Sequence, residues 1–193
     1  MPVWRGLFLR GIFEDTEPTC LVPSDMTPEE KQQHYRIAET LLAEQNFAGA
    51  VLFGAIATIL SAWVYGLFGA TGATIGFVAM GIGFVVGFTV QYVGRGIDTR
   101  FTLLASAYAV IGCLGGNLFA LVGRAARASG VSSFELLRSM PPGELVNRTI
   151  ADLQFVDLVF WLLAIWAAAY WANRPLTREQ RLSVGLYTRR ARG

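Results

Sequence analysis

The chain has 193 residues, 53% of them hydrophobic and only 16% charged, where an ordinary soluble domain carries about a quarter charged residues. That balance excludes a wholly water-solvated fold and calls for a membrane bundle with polar appendages. A net charge of +2 gives no bulk attraction for nucleic acid.

In chain order, Met1 to Phe13 mixes Trp4, Leu7, Phe8, Ile12 and Phe13 with Arg5 and Arg10. Without a small-residue cleavage site it reads as a short interfacial segment rather than a signal peptide. Glu14 to Met26, with Pro18 and Pro23, reads as loop. Thr27-Pro28-Glu29-Glu30 is a helix start: Thr27 caps, Pro28 suits the first helical position and Glu30 reaches back to close a capping box. Ile37, Leu41 and Phe47 continue it at helical spacing, so residues 1–46 end in an amphipathic helix.

From Gln45 to Gly94 no side chain is charged. A hydrocarbon layer about 30 Å thick takes roughly 20 apolar residues per helical crossing, so this run holds two spans, 47–69 and 73–93, about a turn at 70–72. A polar loop, 94–100, leads to a third uncharged span, 101–123. A longer connection, 124–152, holds the capping box Ser132-Ser133-Phe134-Glu135 and a short helix to about Met140, closed by Pro141-Pro142. The fourth span is 153–173, interrupted only by Asp157. The basic tail, 174–193, contains Thr177-Arg178-Glu179-Gln180, a further capping box, and a helix through about Tyr187. The fold class is all-α: a polytopic membrane protein of four transmembrane helices in residues 47–173, with an amphipathic N-terminal helix.

Four spans put both termini on one side. Arg5, Arg10, Lys31, Arg36, Arg95, Arg100 and the tail arginines all fall there, and only Arg124, Arg127, Arg138 and Arg148 fall on the other. Positive charge stays cytoplasmic, so both termini are expected in the cytoplasm.

Within lipid, helices associate through close packing of small residues. Gly54 and Gly66 in the first span, Gly76, Gly83 and Gly87 in the second, and Gly112 and Gly116 in the third recur at multiples of four or near them. They are read as packing grooves rather than the lining of a channel. The fourth span has no glycine. Its Trp161, Tyr170 and Trp171 can sit near the two interfaces as aromatic belts, with Trp166 deeper, so the helix reads as peripheral and lipid-facing, or else as an aromatic face for a partner subunit or a flat apolar ligand.

Polar side chains at membrane depth are the functional suspects. Asp157 is a candidate intramembrane polar site, with Arg124 and Arg127 at hand for an ion pair. Asn117 and Gln91 are the neutral members of that set, and Asn117 can bond across a close helix contact. Asp98 is expected to cap the third span. His34 alone cannot make a metal site. Ser106 and Cys113 have no base beside them, and Cys20 and Cys113 read as free thiols. No catalytic, cofactor or metal residues are assigned. Arg178, Arg181, Arg189 and Arg190 lie where anionic lipid headgroups or an acidic partner would meet them.

The glycine-rich run Thr74 to Gly87, the loop Gly94-x-Gly96-x-Asp98-x-x-Phe101, the stretch Ile111 to Leu118 and Asp157-Leu158-Val159-Phe160 together resemble a group of small, uncharacterised bacterial four-pass membrane proteins. The resemblance covers about Phe47 to Asn173. Gln91 stands where that group would carry a basic residue. It implies the fold and a bacterial inner-membrane source, and no activity. The expectation is therefore a non-enzymatic accessory or scaffold subunit of a larger membrane complex, contacting lipids and a membrane-protein partner or its own copies. The alternatives are a small oligomeric transporter or channel and, third, a membrane-embedded enzyme.

Overall fold

The computed structural model describes residues 26–71 and 76–190. The expected N-terminal interfacial segment, Cys20, the turn residue Gly72 and the start of the second span lie outside the described residues. Among those described there are helices and no strand: α1 (Pro28–Ala43), α2 (Phe47–Ala70), α3 (Gly76–Gly94), α4 (Thr99–Ser129), α5 (Ser133–Ser139), α6 (Pro142–Ala151), α7 (Phe155–Trp171) and α8 (Arg178–Arg190). The chain divides into two compact units: residues 45–174, holding α2 to α7, and the two chain ends, holding α1 and α8.

In the first unit α2, α3 and α4 are each long and apolar enough to cross a bilayer. The unit is inside-out by the standards of a soluble protein. Its buried positions are mostly alanine and glycine, whereas Ile59 (65% exposed), Phe77 (76%), Leu103 (66%) and Leu162 (66%) face outward. Such a continuous apolar exterior is untenable in water and is the ordinary surface of a helix bundle in lipid. The protein is an all-α, multi-pass membrane protein.

The small residues mark where the backbones approach. A Cβ built on Gly54 would stand 2.7 Å from the Tyr108 ring, on Gly116 2.5 Å from Tyr65, and on Gly123 2.6 Å from the Ala70 Cβ. Gly66 lies against Phe119. These pairs ascend together, so α2 and α4 run parallel. Gly112 lies against Ile82 of α3. On the other side of α3, Gly76 lies against the Phe160 ring, Gly83 against the Ala164 carbonyl, and a Cβ on Gly87 would stand 2.7 Å from the Ala168 carbonyl. Helix α7 therefore runs parallel to α3.

Helix α7 keeps most of its residues exposed, as a lipid-facing helix would, but it also has an inner face the sequence reading did not anticipate. Ala164, Ala167, Ala168 and Ala172 are buried and supply a small-residue face that complements the glycines of α3. The alanines were masked by the bulkier aromatics around them. Helix α7 is also shorter than the expected 153–173, α4 runs past residue 123 to Ser129, and Pro142 starts α6 rather than merely closing a helix. Neither Asp98 nor Ser132 makes a side-chain cap bond. Helix α4 ends instead at Gly130 in the left-handed conformation, φ 67°, the common helix stop.

The second unit pairs α1 with α8. The Thr27–Glu30 capping box opens α1, and its counterpart opens α8, with Thr177 and Gln180 exchanging backbone–side chain bonds of 3.1 and 3.3 Å. Ser183 is fully buried and its hydroxyl donates to the Glu179 carbonyl at 2.8 Å. Its oxygen therefore accepts from His34 Nδ1, 2.8 Å away. Tyr35 packs edge-on to Tyr187 and lies under the Arg190 guanidinium, 4.9 Å from the ring centre.

Gly83 and Gly81 provide a matched test, because a Cβ at Gly81 meets nothing within 4 Å. Gly83→Ala is expected to lower stability in detergent by about 1–3 kcal/mol through overpacking, and Gly81→Ala to change it by less than about 0.5 kcal/mol, both read from the midpoint of an SDS titration.

Candidate functional site

The polar groups of the bundle gather at its two ends and at one point between. The end carrying Gln45 and Arg174 is the denser. The Asn46 amide N–H donates to the Gly94 carbonyl at 3.0 Å, tying the entry to α2 to the end of α3. The Asn46 side chain caps α2 through Gly49 N at 2.8 Å. The Arg174 amide donates to the Gly96 carbonyl at 3.1 Å. Gln91 Nε2 donates to the Asn173 carbonyl at 2.9 Å, and Asn173 Nδ2 donates to Thr102 Oγ1 at 2.8 Å. The ends of α3 and α7 and the starts of α2 and α4 are thus stitched by direct bonds. Gly94 and Gly96 make room for the buried Phe101 ring at the centre of the seam, and Phe47 packs edge-on to that ring.

Toward the far end, inside the level of Ala70 and Arg124, the Tyr65 hydroxyl donates to Asn117 Oδ1 at 2.7 Å, joining α2 to α4. Tyr65 is buried, so its hydroxyl needs a partner. Nearer the first end, the Tyr108 hydroxyl donates to the Val51 carbonyl at 2.8 Å. Of the sequence-derived polar set, Asn117 and Gln91 thus sit in separate inter-helix bonds at different depths and do not converge on one site.

At the far end the expected Asp157–arginine pair is not formed. Arg124 pairs with Asp152 instead, and Arg127 donates to the Ala70 carbonyl at 2.8 Å. Asp157 accepts from the Gln154 amide at 3.0 Å and so serves the N-terminus of its own helix. The reason is local: a carboxylate at the third helical position meets unsatisfied N–H groups that point at it. Asp152 lies just before the helix and stays free to meet Arg124. The sequence contained Asp152, but only the turn at 152–154 brings it to α4.

The aromatic residues divide. Trp161 is half-buried against the cluster of Tyr65, Ala79, Ile82 and Cys113, and its indole N–H is buried without an acceptor among the described residues. Trp166 and Trp171 are exposed and belong to a continuous strip: Trp166 on Tyr170, Tyr170 on Trp171, Trp171 on Phe84, Phe84 on Phe88 and Phe88 on Tyr92, with ring centres 5.3 to 6.1 Å apart. The strip crosses from α7 to α3, which no single-helix pattern could reveal. Arg178, Arg181 and Arg189 are exposed on α8, beside the Arg190 already placed over Tyr35. Among the described residues no group of three or more His, Cys, Asp and Glu could hold a metal ion, and Cys113 is a buried free thiol.

Comparison with known protein families, with characterised proteins and with solved structures finds no match. The site is described by its own geometry alone: a set of inter-helix ties and one exposed aromatic strip.

Removing a tie has a modest expected cost. Inter-helix hydrogen bonds within bilayers are worth about 0.6 kcal/mol on average and up to about 1.7. Tyr65→Phe and Asn173→Ala are both expected to fall in that range, since each leaves a part-buried partner, Asn117 or Thr102, without its bond. Unfolding midpoints in mixed micelles would check both.

Proposed function

We propose that this is a non-enzymatic accessory or scaffold subunit of a larger membrane complex, held in a bacterial inner membrane with both termini in the cytoplasm. One observation carries the reading. The small-residue faces at the centre of the bundle are filled by neighbouring backbones and rings, as at Gly83 on Ala164 and Gly116 on Tyr65, so they serve packing rather than a lumen. Tyr65, Asn117, Gln91 and Asn173 are likewise used in bonds that tie the helices to one another. What remains available for recognition is on the outside: the aromatic strip of α3 and α7, and the arginines of α8.

In this reading the strip is the face that meets a membrane-embedded partner or a second copy. Aromatic side chains are favoured at such contacts because they cover much area with few rotors. The α8 arginines meet anionic headgroups, at about 1 kcal/mol each close to the surface. The bacterial setting rests on the sequence resemblance, and the orientation on the distribution of arginine and lysine.

Extraction in a mild detergent, followed by identification of everything that co-migrates, tests the reading. A larger protein recovered in fixed stoichiometry is expected, and Phe84→Ala with Trp171→Ala should release it. Recovery only as a symmetric oligomer of this chain that passes solutes in liposomes would replace it with the transporter alternative.

A further inference from the structure

We propose that α6 is an interfacial helix, lying flat in the lipid headgroup region at the end of the bundle opposite Gln45 and Arg174, with Val146 and Ile150 dipped into the acyl boundary. The partner of this surface is the bilayer itself.

Three observations lead there. The first is direction. Between α6 and α7 the chain turns through 102°, so the two cannot form one straight crossing. Helix α7 has 17 residues, about 25 Å at 1.5 Å per residue, which nearly spans the hydrocarbon by itself. If α7 crosses, α6 runs close to the membrane plane.

The second is depth. Polar contacts at this end set three helix positions at one level. Arg124, where the uncharged run of α4 stops, pairs with Asp152 at the bend between α6 and α7. Arg127, one turn on, donates to the carbonyl of Ala70, the last residue of α2. An exposed ion pair and the end of an apolar helix both belong where hydrocarbon gives way to headgroups. Helix α6 leaves from that level.

The third is the division of its surface. Leu145 and Thr149 are buried. Val146 and Ile150 are exposed, at 50% and 55%. Glu144 and Arg148 form an exposed ion pair of 2.6 Å, and Asn147 is exposed. At 100° per residue these fall into three stripes: one toward the protein, one bare and apolar, one polar. A helix lying on water would have no use for the bare apolar stripe, and a helix crossing lipid could not carry the polar one. A helix resting at the boundary uses all three. Just past the bend, Phe155 (79% exposed) and Val156 (56%) also face outward at the start of α7, so the apolar exposure does not stop at α6.

The test uses the full chain in vesicles of phosphatidylethanolamine and phosphatidylglycerol. Single cysteines at Val146, Ile150 or Asn147, in a Cys20→Ser, Cys113→Ala background, carry a nitroxide whose relaxation by oxygen and by a water-soluble nickel chelate is measured. Oxygen is expected to dominate at 146 and 150 and nickel at 147, a reversal of the ratio within one turn. In parallel, a bilayer-dissolved aryl diazirine is photolysed with the unmodified chain and the inserted residues are mapped, so the result does not depend on the variants folding. Insertion at 146 and 150 is expected. Nickel dominance at all three positions, with no insertion, would place α6 in water. Shielding of 146 and 150 from both reagents would mean that a second copy or another protein covers them. Either result overturns the proposal.

Discussion

The contact between α3 and α7, where Gly83 and Gly87 receive the carbonyls of Ala164 and Ala168, is the constraint on which the bundle rests. In water a helix pair is held by removing apolar surface from solvent. In lipid that term vanishes, because the surrounding chains are as apolar as the side chains. What remains is dispersion between closely fitted atoms, which decays within fractions of an ångström. Only residues without bulk let two backbones come that near. The large side chains are therefore pushed outward and the small ones inward, reversing the order of a soluble core, and the exposed Phe77, Leu103 and Leu162 follow from the buried Ala164, Gly83 and Ala105.

Close packing specifies distance but only weakly specifies depth, since small-residue stripes can slide by a turn and still fit. The polar ties supply the missing register. Gln91 on Asn173 and Asn46 on Gly94 close one end; Arg124 on Asp152 and Arg127 on Ala70 close the other; Tyr65 on Asn117 adds a tie inside that second end. Each is worth little by itself, yet a slip of one helical turn would break several together, and their costs would add. The ties act less as glue than as a penalty on every alternative register.

The sequence was most legible where a single physical variable decides. Charge-free runs placed α2 and α3, and the Thr27 and Thr177 boxes placed α1 and α8, because each is a property of neighbouring residues. It was least legible where two segments must meet. The alanine face of α7 has no meaning until the glycines of α3 lie opposite it. Asp157 is the partner the sequence suggests for Arg124, whereas the bend at 152–154 brings Asp152 there instead. Pro142 was read as a stop because prolines break helices, but at the first position of α6 its fixed φ and missing N–H suit a start. Asp98 and Ser132 carry the right chemistry for caps and sit at the right positions, yet make no cap bond.

The aromatic strip bears on function through the same logic of lipid solvation. Aromatic rings facing acyl chains gain little over leucine, so two helices sharing a continuous row of them is not what packing within this chain requires. Phe84 and Trp171 are the exception, since they meet across the α3–α7 seam, directly over the close contact of Gly87 with Ala168. The row's two halves are therefore joined where the α3 and α7 backbones come close, at Gly83 on Ala164 and Gly87 on Ala168. The small residues inside and the rings outside are two sides of one arrangement, in which closeness at the centre joins the rings at the surface.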